Sequence, residues 1–234
     1  MLINKKKDFN AIGLIDFSSV KETFDFSMDM TFNEKGEHRA YRSGGRQIRG
    51  TYGKQFPDVF QGKLGEFGAY QYLKKYYEKL LKPDLRTYKK GIWETEDFDV
   101  NGKRVQVKST KYFGNLLLIE TKNYQKDGNY IYYLHAKERK KIDLFMLVRI
   151  HPVMREIMED LGFLNENILN DKNKKILIAK ILETKWEFDI PGFATKEDMI
   201  KVINSNKIKY LDAPNYYIES GDLRDVSTIK NFLT

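Results

Sequence analysis

Asn101-Gly102 lies between two short runs in which apolar and polar residues alternate, "EDFDV" before it and "KRVQVKST" after it. Asn-Gly tolerates the positive φ angles at both central positions of a type I′ turn, so the pattern predicts a two-residue β-hairpin. That turn length sets the register: Val100 opposite Lys103, Phe98 opposite Val105 and Asp97 opposite Gln106. Because side chains alternate along a strand, Phe98, Val100, Val105 and Val107 share one face. The reverse face collects Asp97, Asp99, Arg104, Gln106 and Lys108. Two readings of that polar face stand side by side. Any edge hairpin carries solvated cross-strand pairs; a polar face turned toward the core instead requires a partner.

The elements around the hairpin follow from hydrophobic period. In "DVFQGKLGEFGAYQYLKKYYEKLLKPD", Phe60, Leu64, Phe67, Tyr70, Leu73, Tyr77 and Leu80 recur at helical spacing, and Pro83 is the expected stop. Gly62, Gly65 and Gly68 each cost that helix about 1 kcal/mol against alanine, which implies a close approach to its backbone. After the hairpin, "NLLLIETKNY" reads as a buried strand, "NYIYYLHA" as a candidate fourth strand and "DLFMLVRI" as another. Pro152 opens a helix, and "TKEDMIKVINSNK" starts on a Thr195/Asp198 capping pattern. "KKILIAKILETKWEFDI" fits both periods; its β-branched residues and the bounding Pro191-Gly192 favour strands. The tail, "YLDAPNYYIESGDLRD", reads as strand and loop. The order predicts a mixed α/β fold, a central mixed sheet flanked by helices, in one domain spanning residues 1–234.

Composition limits the function classes. The chain has 234 residues, 41% of them hydrophobic, enough for one substantial core. No apolar run approaches the roughly 18 residues of a membrane span, so no membrane partner is expected. No apolar stretch follows the first lysines, so no secretory signal is expected, and the absence of cysteine fits a reducing cytoplasm. A net charge of +8 favours a polyanionic partner. Residues 1–57 show little periodicity. Within them Arg39, Arg42, Arg46, Arg49 and Lys54 are interleaved with glycine and tyrosine, and this stretch is expected to be a DNA-contacting N-terminal arm. A basic surface loop without function is the other reading.

On the polar face of the hairpin, a carboxylate and an amide oxygen are spaced to share a hard divalent cation. Mg²⁺ takes one or two protein carboxylates and completes its octahedron with water and phosphate oxygens. Lys108, next along the same face, is placed to offset charge on a reacting phosphate. A glutamate on a preceding helix, an aspartate entering a hairpin and an acid-x-Lys leaving it resembles the PD-(D/E)XK nucleases, most closely type II restriction endonucleases. The resemblance runs over roughly residues 60–125, through Glu66 in "GKLGE", Asp97 or Asp99 in "EDFDV", and Gln106-Val107-Lys108.

It implies a restriction-endonuclease-like fold and an Mg²⁺-dependent hydrolase, with Mn²⁺ able to substitute. The substrate would be double-stranded DNA, cut at a short site by a homodimer in a prokaryotic cytoplasm. Glu66, Asp97, Gln106 and Lys108 would be catalytic, Asp97, Asp99, Gln106 and Glu66 the metal ligands. Lys111 and Lys122 would touch phosphates near the site. The chain departs from the pattern in two places: the proline before the aspartate is absent, and Gln106 stands where an acid is usual, as in some members. Gln106 keeps alive a non-catalytic nucleic-acid-binding module on a degenerate nuclease fold; within the enzyme class, a structure-specific repair or junction nuclease is the rival. Glu66 is also readable as an exposed helix acid beside Lys63. The histidines His38, His135 and His151 support neither a Ser-His-Asp nor an HNH arrangement, and no phosphate-binding loop calls for a nucleotide cofactor.

Overall fold

The computed structural model describes residues 3–33, 35, 50–87, 96–129, 142–210 and 214–234. In chain order the strands are β1 (Gly13–Leu14), β2 (Phe98–Val100), β3 (Lys103–Lys111), β4 (Leu116–Glu120), β5 (Leu144–His151), β6 (Glu187–Thr195), β7 (Ile208–Tyr210) and β8 (Pro214–Glu219). The helices are α1 (Phe17–Met30), α2 (Tyr52–Lys74), α3 (Met154–Asp160), α4 (Asp171–Glu183) and α5 (Lys196–Asn204). Among the described residues, the main sheet has the order β1-β6-β5-β3-β2, and β4-β8-β7 form a second sheet. The β3–β5 pair is parallel and the other pairs are antiparallel, so the fold is mixed α/β as expected.

The hairpin forms in the register its turn dictates. Asn101 has φ 52° and Gly102 φ 79°, and Phe98 pairs with Val105, Asp99 with Arg104 and Val100 with Lys103. Phe98, Val100, Val105 and Val107 are buried in the larger of two hydrophobic clusters, together with Phe56, Phe60, Leu64 and Phe67 of α2. The opposite side of the sheet faces a smaller cluster built on Leu117, Ile119, Phe145, Leu147 and Ile218. β5, buried on both faces, is the partition between them.

Several boundaries differ from the sequence reading. α2 starts at Tyr52 and stops at Lys74, well short of Pro83. The Lys74 ammonium turns back onto the carbonyls of Glu78 and Leu80, while the amides of Tyr76 and Tyr77 share the Leu73 carbonyl. This closes the last turn before the proline is reached. "KKILIAKILE" is helix, not strand. Asn170 caps it by accepting the Asn173 amide at 2.9 Å, and Leu177 and Ile181, one turn apart, are both fully buried. The strand reading holds only from Glu187 onward, and Pro191-Gly192 lie inside β6 rather than bounding it. "NLLLIE" is a strand as expected, but in the second sheet.

Residues 3–33 contribute to the fold. β1 pairs with β6, and α1 sends Val20, Phe24 and Met28 into the core. Arg39, Arg42, Arg46 and Arg49 lie outside the described residues, as do His38, His135 and nearly all of "NYIYYLHA". No helix among the described residues is long and apolar enough to cross a membrane.

Candidate active site

The close approach implied by the α2 glycines is real at two of the three positions. A Cβ on Gly65 would stand 2.4 Å from the Ser109 Cβ, and one on Gly68 would stand 3.1 Å from the Phe188 ring; Gly62 has nothing within 4 Å. Gly65 therefore lets α2 lie directly on β3, beside Lys108. Glu66, the next residue of the helix, is carried to that part of the strand.

The hairpin supplies the facing group. β2 begins at Phe98, opposite Val105, and the Asp97 amide still donates to the Val105 carbonyl at 3.0 Å. Beyond that point the ladder gives way to a side chain: the Val107 amide donates to Asp97 Oδ2 at 2.5 Å. A carboxylate here takes a backbone amide of β3 as its partner, which anchors it beside that strand. Burial pushes the Asp97 carboxyl above the usual aspartate range. The ammonium groups of Lys108 and Lys63 and the Val107 amide pull the other way, and Glu96 adds to the rise.

Glu66 is not an exposed helix acid. Its Oε2 pairs with Lys63 Nζ at 2.6 Å, with side chains only 15% and 7% exposed. Lys63 also donates to the Asp84 carbonyl at 2.9 Å. Lys63 thus pairs with Glu66 and, together with Lys108, acts electrostatically on Asp97. Lys63 carried a sequence signal, the i,i+3 spacing inside "GKLGE", but nothing in the sequence showed that the pair is buried.

Gln106 is buried, and its Oε1 accepts a hydrogen bond from the Tyr124 hydroxyl at 3.0 Å. Tyr124, just past β4, carries no signal in the sequence, because its contact depends on the second sheet docking against β3. Asp99 sits apart from this group. It is exposed, and its Oδ1 accepts the Gly102 amide at 2.8 Å, bracing the hairpin turn. Of the two aspartates kept open as ligands, Asp97 is the one beside Lys108.

The predicted basic contacts scatter. Lys54 lies in the first turn of α2, Lys111 ends β3, and Lys122 pairs with Glu120 at 3.5 Å. His151, at the end of β5, pairs with Glu187 at 3.1 Å and lies edge-on to Tyr112.

Among the described residues no three His, Cys, Asp or Glu side chains are grouped for a metal. The donors present are the half-buried Asp97 carboxylate, the Gln106 amide oxygen, and Glu66, which is paired with Lys63. That set fits a hard cation of the Mg²⁺ kind, which accepts few protein oxygens and keeps the rest of its shell for water and phosphate. An enclosed carboxyl whose proton is held too tightly is also a group that a divalent charge would convert to its ionised form. Comparison with family models, with curated proteins and with solved structures finds no match to this chain.

Proposed function

We propose that the chain is a divalent-metal-dependent endodeoxyribonuclease that hydrolyses phosphodiester bonds in double-stranded DNA, of the type II restriction kind. The observation that carries the reading is the contact of Gly65 on Ser109. It sets a helix bearing Glu66 against the strand that carries Lys108 and whose Val107 amide holds Asp97, an arrangement that supports a PD-(D/E)XK reading. Asp97 and the Gln106 amide oxygen would hold Mg²⁺ or Mn²⁺, with Glu66 as a further oxygen. Bound there, the cation supplies Lewis-acid charge at the scissile phosphate.

The chain's own groups do the rest. Val107 fixes the Asp97 carboxylate through its amide, so the ligand oxygen needs no reorganisation on binding. Tyr124 orients the Gln106 amide. Lys108 presents an ammonium to a non-bridging phosphate oxygen and orients the attacking water. A two-fold dimer would match the two-fold symmetry of a short palindrome, each copy cutting one strand.

The test is cleavage of plasmid DNA in Mg²⁺. The wild type is expected to give discrete bands, chelation to stop it, and Lys108→Ala to lose cleavage while still binding DNA. A smear or a preference for branched substrates would identify a structure-specific nuclease instead. One observation favours a second reading: Gln106 is held by Tyr124 and Glu66 by Lys63, so both oxygens already have partners. A non-catalytic nucleic-acid-binding module would show metal-independent DNA binding and no cleavage in any divalent cation.

A further inference from the structure

Lys63 stands out among the described lysines by its burial. It is 6% exposed, and lysine is almost never so buried unless paired. Its ammonium bonds Glu66 at 2.6 Å and the Asp84 carbonyl at 2.9 Å, and it lies 4.9 Å from the centre of the Phe26 ring in α1. Three separate segments therefore hold one positive charge in place. Its field also reaches Asp97, across the gap between helix and hairpin. The two acids of the candidate site thus share a cation already built into the chain.

Resting on the metal-dependent reading above, we propose that Lys63 is a positioning residue whose ammonium serves as resident counter-charge for Glu66 and Asp97, keeping the site's affinity for a divalent cation low until DNA phosphate adds negative charge. A lysine charge close to an incoming dication repels it, and even at a water-like dielectric near 80 a separation of about 6 Å is worth about a factor of ten in affinity. Bound phosphate offsets that repulsion, so the metal and the DNA enter together. The ammonium also holds Glu66 in place on its helix when no metal is bound.

The experiment is Mn²⁺ binding to the full chain, measured by paramagnetic resonance with and without a DNA duplex. Lys63→Gln keeps N–H donors, one bond shorter than the ammonium, and removes the charge; Lys63→Arg retains the charge. Without DNA, the glutamine variant is expected to bind Mn²⁺ about tenfold more tightly than the wild type. The arginine variant should stay near the wild type, and adding Asp97→Ala should abolish the gain. A merely structural role would not tighten metal binding. Equal or weaker Mn²⁺ affinity in Lys63→Gln overturns the counter-charge role and leaves the metal reading standing. Absence of Mn²⁺ binding in every form, with DNA present or not, overturns the metal reading and the counter-charge role with it.

Discussion

Asp97 sits where burial works against its charge. Its folded carboxyl holds a proton above the ordinary aspartate range because burial outweighs the nearby lysines. The stability such a group contributes is present below the unfolded aspartate value and is lost as pH rises through the raised folded value. In the absence of divalent cations, Asp97→Asn should therefore melt higher than the wild type at neutral pH, with the gap closing in acid. The asparagine carbonyl can still accept the Val107 amide, so the hairpin survives. The same variant should lose DNA cleavage, and Mg²⁺ should raise the melting temperature of the wild type alone. Thermal melts in chelator and in Mg²⁺, at mildly acid and neutral pH, check both; a variant less stable than the wild type at neutral pH would refute the account. Gln106 teaches the complementary lesson. Its type was visible in the sequence, but its Tyr124 partner, in the segment after β4, was not.

At the scale of elements, the α2 glycines divide by what they face. Gly65 meets Ser109, whereas Gly62 meets nothing within 4 Å. Gly62→Ala should gain about 0.5–1 kcal/mol from helix propensity alone. Gly65→Ala should instead destabilise by about 1–3 kcal/mol, since the helix must lift from the strand. Cleavage should fall with it, because Glu66 moves with the helix. Urea midpoints of the two variants, shifting in opposite directions, are the check. The same comparison explains what sequence period could and could not say. Three glycines announced a close approach, but only the docked strand shows which of them makes it. "KKILIAKILE" failed as a strand for a related reason. β-branched content is a weak preference, and the Asn170 cap with Leu177 and Ile181 on one buried stripe outweighs it.

Across the whole molecule, a buried ion pair ties the N-terminal segment to both sheets. Arg149 of β5 is 1% exposed and makes two bonds to Asp189 of β6, at 2.8 and 2.5 Å. Its remaining N–H groups go to the Lys7 and Asp8 carbonyls and to Asn115. Asp189 in turn accepts the Asn10 amide, and Glu219 of β8 accepts the amides of Asn4 and Lys5. Every donor of the guanidinium is matched, so removing one partner leaves a buried charge alone. Asp189→Ala is expected to cost about 3–5 kcal/mol in chemical denaturation, while Arg149→Met paired with Asp189→Leu should recover much of the loss. No residue of this network is placed in the candidate site, so cleavage per folded molecule should stay unchanged.

What the sequence determined was local: the Asn101-Gly102 turn and its register, the Thr195–Asp198 cap, the apolar stripe of α2 and the mixed α/β class. Each depends on neighbours within a few residues, where backbone preference and side-chain period act directly. Tertiary structure alone decided which polar groups are buried together. The Lys63–Glu66 pair, the Tyr124–Gln106 bond and the Arg149–Asp189 pair each draw their environment from segments distant in the chain. Burial changes an ordinary surface charge into one that needs a partner, and no pattern along the chain reports how deeply a side chain will lie.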